Sequence, residues 1–499
     1  MSPTPLRATA PGVPVAVLVP AALALAAGLW SLAGPPVWRD EAATVSAAAR
    51  SLPETVHLLR HVDAVHGLYY ALAHVVVALG GTGIVALRLP SVVAGVLAAA
   101  GTGALGRALG GPRAGLYGGS LLALMPVFSR YSQEARPYAL TMAAAVGATL
   151  LLVRALRGPT PGAFAVYGLS VAALAYLNLF AILVPAAHGI AVLLCRGPFA
   201  RWCLAVVPGL ALAAPLGWLA SRQSAQVGWI TRPDAGDVGM LAVQLFGDLG
   251  AATPAWLGVA PLVAALAVVG AVRSPLRAAR AVAGSPATGL LVRVALPWLL
   301  LPPAALLAVS WAAHPVYVFR YVLCCVPAAA LLAGAGLAAA PARVAVAAMA
   351  AAAGLSVPGQ LATRGPDGRQ DDPRPVIALL GAQARPGDAV LFVPAKVRKY
   401  EVVYPGVFGR LDDVALVRSP RRDGTFGGRD AGSRVLAARL AGVRTLWVVG
   451  HTGKAASWRL DLVRRTFVPG GRWTSRGLFV ARYDAAGSQV SSNGDGVGK

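Results

Sequence analysis

Residues 88–153 read RLPSVVAGVLAAAGTGALGRALGGPRAGLYGGSLLALMPVFSRYSQEARPYALTMAAAVGATLLLV. Three apolar runs, 88–106, 114–130 and 138–153, are joined by short connectors that carry the charge. Each run is close to the roughly 17–25 residues needed to cross the hydrocarbon core of a bilayer. Working outward, similar runs recur at 14–33, 162–178, 180–195, 202–219, 255–272, 294–312, 321–340 and 343–361. The pattern predicts a mainly α, polytopic transmembrane bundle of about eleven spans. The first run is read as an anchor, because residues 30–38 offer no small-residue cleavage site and further spans follow.

Composition agrees. The 499 residues are 57% hydrophobic and 13% charged, with a mean hydropathy of +0.65, whereas soluble chains carry about a quarter charged residues. The net charge of +24 rests on 44 basic residues, of which only Lys396, Lys399, Lys454 and Lys499 are lysines. Arginine dispersed between apolar runs reads as a topology signal and sets nucleic acid aside as a partner. Cys195, Cys203, Cys324 and Cys325 lie in or beside apolar segments without metal-ligand spacing.

The short apolar segment 67–80 is decided by arginine. If it does not cross, the membrane half places twelve arginines inside and nine outside; if it does, the count becomes seven against fourteen. The positive-inside tendency favours the first arrangement, with 67–80 re-entrant or peripheral. That topology puts all eight carboxylates of residues 1–361 (Asp40, Glu41, Glu54, Asp63, Glu134, Asp234, Asp237 and Asp248) on the outer side. It also makes residues 362–487 an extracytoplasmic domain. There, strands are expected at 389–393, 414–417 and 445–449 and helices at 375–384, 433–441 and 458–465, a small α/β unit. A polar tail, 488–499, is expected to be disordered.

Three outer stretches could carry chemistry. Asp40 and Glu41 follow the first span, and a carboxylate beside apolar surface can gain the basicity of a general base. They could equally be the acidic first turn of a helix. Arg136 and Tyr138, with Glu134 nearby, could hold a lipid phosphate through charge-assisted bonds at the interface, or simply form a connector. Arg320, beside Tyr317, could be a second phosphate clamp or a snorkelling anchor. His66, with Tyr69 and Tyr70, opens the non-crossing segment and is a weak signal alone.

Taken in order, Asp40-Glu41, His66-Gly67-Leu68-Tyr69-Tyr70, Arg88-Leu89-Pro90-Ser91, the 130–140 stretch and the 317–321 stretch with Pro327 resemble the GT-C membrane glycosyltransferases. The similarity is to the family 39-like group of protein O-mannosyltransferases and aminoarabinose transferases. It covers roughly residues 14–345 and is strongest in the first 140. The resemblance implies transfer of a sugar, mannose or another hexose or pentose, from a polyprenyl-phosphate donor, with inversion. The acceptor would be an extracytoplasmic glycan, lipid or protein. Asp40 would be the catalytic base, Glu41 would orient the acceptor, and Arg136, Tyr138 and Arg320 would hold the phosphate. His66, Tyr69, Tyr70, Glu134 and Tyr317 would contribute to substrate binding. The family commonly has two prolines after the histidine, where this chain has Gly67-Leu68. A divalent cation is left open, since Asp40 and Glu134 are too few to define its site. The Ala, Arg and Gly bias points to a bacterial plasma membrane. The alternative class is a multi-span transporter or lipid flippase, which would place polar residues at the midplane.

Overall fold

A computed structural model describes residues 14–249, 258–280, 287–453 and 457–486. The eleven apolar runs are largely helical where they fall in this range, although the start of the run at 255–272 lies outside it. Among the described residues, five helices are long and apolar enough to cross a membrane: Ile84–Gly110, Tyr138–Arg157, Phe199–Arg222, Gly289–Ala312 and Ala342–Arg364. The others, such as Val15–Leu29 and Pro161–Leu177, are apolar but shorter, so eleven full crossings do not follow from helix length. The segment 67–80 forms the 14-residue helix Gly67–Gly80.

One expected span divides. Residues 114–130 form Pro112–Leu124 and Pro126–Ser132, with Met125 extended between them (φ −62°, ψ 123°). A residue before proline is pushed away from the helical region, so Pro126 ends the first helix and starts the second. The redirected chain carries the 130–138 connector across the end of the bundle.

Helices Val15–Leu29, Ile84–Gly110 and Pro112–Leu124 cross closely because small residues line their contacts. A methyl group on Gly103 would collide with the Ala16 carbonyl oxygen, and one on Gly115 with the Gly103 carbonyl oxygen. This is the small-residue packing by which helices associate without a hydrophobic drive between them. Large apolar side chains face outward instead, among them Val93, Leu97, Leu204 and Val207, as a lipid-facing surface requires.

Beyond Arg364 the chain forms a three-layer α/β domain. Of strands β1 (Ala389–Val393), β2 (Asp412–Asp413), β3 (Leu416–Arg418), β4 (Arg429–Asp430), β5 (Thr445–His451), β6 (Phe467–Ser475) and β7 (Leu478–Ala485), five make a main sheet of order β2-β1-β5-β7-β6, and β3 and β4 make a separate pair. β1 is parallel to β2 and β5, and β7 is antiparallel to β5 and β6. Val390, Phe392, Trp447 and Val449 enter one core, and Ala389, Leu391, Val393, Leu446 and Val448 enter another. Alternate residues of one strand thus serve opposite faces, both covered.

The strand expected at 414–417 is not a buried core strand. β3 pairs only with β4, and its side chains are half-buried or exposed. The β6–β7 hairpin escaped the sequence reading because Pro469, Gly470 and Gly471 interrupt its alternation. Gly477 closes it with φ 79°, a left-handed conformation that favours glycine. The tail 488–499 lies outside the described residues.

Candidate active site

The 130–138 connector is held from several directions, through the Gln133 side chain and through its own carbonyls. Gln133 Nε2 donates to the Gly28 and Trp30 carbonyls at 3.0 and 2.7 Å, and Ser91 Oγ donates to the Glu134 carbonyl at 2.6 Å. Thr44 Oγ1 donates to the Ala135 carbonyl at 2.9 Å, and Arg369 Nη2 donates to that of Gln133 at 2.9 Å. The first helix, the Asp40 helix (Arg39–Ala48) and the chain beyond residue 365 thus fix one short segment.

Of the two adjacent acids, Glu41 is wholly buried. Arg88 donates to it through Nε and Nη2 at 2.8 and 2.7 Å, and the Ala135 N–H donates to it at 3.0 Å. Burial works to raise the Glu41 carboxyl, and Arg88 outweighs this and holds it below the ordinary range. Arg88 also donates to the Leu32, Pro35 and Pro36 carbonyls. Glu41 is therefore spent on structure, and its expected role in orienting an acceptor finds no free oxygen here. Glu134 is committed in the same way: Trp38 Nε1 donates to it at 3.1 Å, and it pairs with Arg130. It offers no evident group to a substrate. Tyr69 is buried in a small core with Ala47, Leu58 and Tyr70.

Asp40 differs. It is only half-buried, and among the described residues its carboxylate makes no hydrogen bond or ion pair. Burial works to raise the Asp40 carboxyl, but the charges of Arg136, Arg320 and Lys399 act against it and hold it below the usual carboxylate range. Arg136 is set by its own contacts. Nη2 donates to His66 Nε2 at 2.6 Å and Nη1 donates to the Tyr70 hydroxyl at 3.3 Å, which in turn donates to Asp63 Oδ2 at 2.7 Å. Burial and the Arg136 charge keep the His66 imidazole neutral, well below its usual value. Arg136 Nε and His66 Nδ1 are buried with no hydrogen-bond partner among the described residues, a cost that an incoming anion would relieve. Arg320 stands over the Trp229 ring at 5.3 Å and the Tyr321 ring at 5.9 Å.

A cavity of about 290 Å³ opens here, lined by His66, Pro137, Tyr138, Phe180, Gln226 and Tyr321 among others. Tyr138 therefore lies where the sequence placed it. Tyr317 does not: it lines a separate pocket with Trp229, Asp237 and Met240. A larger cleft of about 1000 Å³ lies by Arg154 and Arg157, toward the other end of the Tyr138–Arg157 helix; no carboxylate lines it. Among the described residues no group of three His, Cys, Asp or Glu side chains converges to hold a metal. With Glu41 and Glu134 both paired and cations around Asp40, these residues do not fit a divalent cation.

The residue the sequence reading missed is Lys399, on the far domain. The turn Ala395–Lys399 and the short helix Tyr400–Val403 pack on the Asp40 helix. The Arg39 N–H donates to Asp371 Oδ2 at 3.0 Å, the Arg39 and Asp371 side chains pair, and Val37 and Ala42 enter the core of the α/β domain. Its only sequence signal was rarity, one of four lysines.

Residues 67–220 match the family model described as dolichyl-phosphate-mannose-protein mannosyltransferase. The structure of ArnT from Cupriavidus metallidurans bound to undecaprenyl phosphate superimposes with a TM-score of 0.56 at 13% identity, over 93% of this chain and 97% of that one. The chain has the GT-C fold. The oligosaccharyltransferase AglB from Archaeoglobus fulgidus, in complex with an inhibitory peptide and a dolichol-phosphate, aligns at a TM-score of 0.51 and 10% identity, over 96% of this chain and 74% of that one. The mycobacterial arabinofuranosyltransferase AftD aligns at 0.50 and 18%, over 94% of this chain and 41% of its own length. No curated protein sequence matches the chain.

Proposed function

We propose that this GT-C protein transfers a sugar, mannose or another hexose or pentose, from a polyprenyl-phosphate donor to a hydroxyl-bearing glycan, lipid or protein acceptor. The single observation that carries the reading is the unpaired Asp40 carboxylate in the field of Arg136 and Arg320, with the His66 that Arg136 bonds lining a cavity. The match to a structure holding undecaprenyl phosphate supports it.

In this reading the donor's phosphodiester lies between Arg136 and Arg320, with the prenyl chain running toward the apolar part of the cavity. The acceptor oxygen attacks the anomeric carbon from the face opposite the phosphate, which inverts the centre. The C–O bond to phosphate breaks and its electron pair stays on the phosphate, which becomes polyprenyl phosphate. The acceptor proton passes to Asp40. The guanidinium groups are already in place for the charge that develops on the leaving oxygen, so they stabilise the transition state more than the ground state. His66 and Tyr70 position Arg136. Glu41 acts indirectly, holding the connector through Arg88 and Ala135. The arginine distribution supports an outward-facing site and α/β domain in a bacterial plasma membrane.

The test uses purified protein with undecaprenyl phosphate carrying mannose, glucose or arabinose, and a cell-envelope extract as acceptor. Release of undecaprenyl phosphate with labelled sugar in the product is expected. Failure of the protein to bind undecaprenyl phosphate at all would sink the proposal.

A further inference from the structure

The two arginines have a double duty. They hold Asp40 ionised in the free protein, and on the reading above they also hold the donor phosphate. Once a phosphate sits on them its negative charge offsets theirs at Asp40. A carboxylate partly withdrawn from water binds a proton more readily once it loses its compensating charge, and a protonated Asp40 cannot serve as base. Something that the phosphate does not occupy must keep it ionised.

Lys399 fits that description. It is buried, at 8% exposure, and forms no ion pair with a carboxylate among the described residues. It lines a cavity of about 190 Å³ between the Asp40 helix and the α/β domain, with Ser46, Arg50, Glu401 and Arg421. None of these residues borders the cavity of His66 and Tyr138. Two basic neighbours in that cavity are engaged elsewhere: Arg50 donates to the Pro420 and Thr425 carbonyls, and Arg421 pairs with Glu54. Resting on the proposed donor site, we propose that Lys399 is a positioning residue supplied by the α/β domain, whose ammonium holds Asp40 as a carboxylate while donor phosphate occupies Arg136 and Arg320.

The charges facing each partner are consistent with this. Asp40 feels Arg136 and His66 from the bundle, Arg320 from the 319–321 turn and Lys399 from the α/β domain, with Arg39 on its own helix and the Tyr138 and Tyr321 hydroxyls nearby. Lys399 feels Asp40 and Asp63, opposed by Lys396 and Arg39. Burial pushes the Lys399 ammonium down to about 8, with Asp40 acting in the other direction. It is thus charged at neutral pH and loses its charge just above.

The experiment is proton uptake on binding undecaprenyl phosphate at pH 6, read by calorimetry in buffers of different ionisation enthalpy. Lys399→Met should take up more protons per lipid bound than the parent, by up to about one, because Asp40 now titrates on binding. The excess should vanish in Lys399→Met with Asp40→Asn, and Lys399→Arg should behave as the parent. Should the Met variant fail to fold, Lys399→Gln carries the same expectation. Equal uptake by a folded neutral variant and the parent would overturn the proposal. So would lost lipid binding in that variant, which would make Lys399 a phosphate ligand instead. If the parent itself does not bind the lipid, the donor site fails and this proposal with it.

Discussion

Arg88→Met tests what holds the site together. Arg88 is fully buried and makes five hydrogen bonds, two to Glu41 and three to the Leu32, Pro35 and Pro36 carbonyls. Methionine fills part of the volume but leaves the Glu41 carboxylate without its cation. Removing one partner of a buried pair costs about 3–5 kcal/mol, or about two to three and a half powers of ten in the folded-to-unfolded ratio. The loss should be read by tryptophan fluorescence during unfolding in mixed detergent micelles.

The pH dependence fixes the mechanism. In the parent the Glu41 carboxyl is held below its unfolded value, so its contribution is present above the unfolded value near 4.3 and is lost as pH falls through the folded one. In Arg88→Met the same carboxyl is buried with no cation, and protonation relieves it. The gap between parent and variant should therefore narrow as pH falls toward 5. Arg88→Met combined with Glu41→Leu should recover much of the stability, because an apolar pair can replace a buried ionic one. A single variant as stable as the parent at pH 7, or a gap that does not change with pH, would refute the reasoning.

Asp40→Asn should leave stability within about 0.5 kcal/mol, since its carboxylate carries no contact. Transfer should fall at least roughly a hundredfold while undecaprenyl phosphate still binds; near-parent turnover would remove Asp40 from the mechanism. Arg136→Lys should weaken undecaprenyl phosphate binding about tenfold or more, because a lysine keeps the charge but not the forked geometry that reaches both His66 and a phosphate; unchanged affinity in a titration would count against the clamp. A cysteine at Gly442, where a side chain meets nothing within 4 Å, should react with an impermeant maleimide on intact cells if the α/β domain faces outward. Labelling only after lysis would reverse the topology.

The membrane class and the helical runs were legible in the sequence because both follow from local quantities. Run length decides whether a segment can cross a bilayer, and an apolar helix satisfies its own backbone whatever its neighbours are. The acids and arginines were legible as candidates for the same reason: few charges occur in this half, so each one stood out. What each does was not legible. Asp40 and Glu41 are adjacent and chemically alike, yet one carboxylate is left unpaired and the other is consumed by Arg88, a distinction of about 100° around one helix turn. Glu134 and Tyr138 share a connector, but only Tyr138 lines the cavity, because Trp38 and Arg130 reach Glu134 first. Lys399 meets Asp40 across more than 350 positions of chain. No periodicity links such residues; only the docking of the α/β domain on the Asp40 helix does, and that contact depends on hydrophobic surfaces and ion pairs such as Arg39–Asp371 meeting in three dimensions.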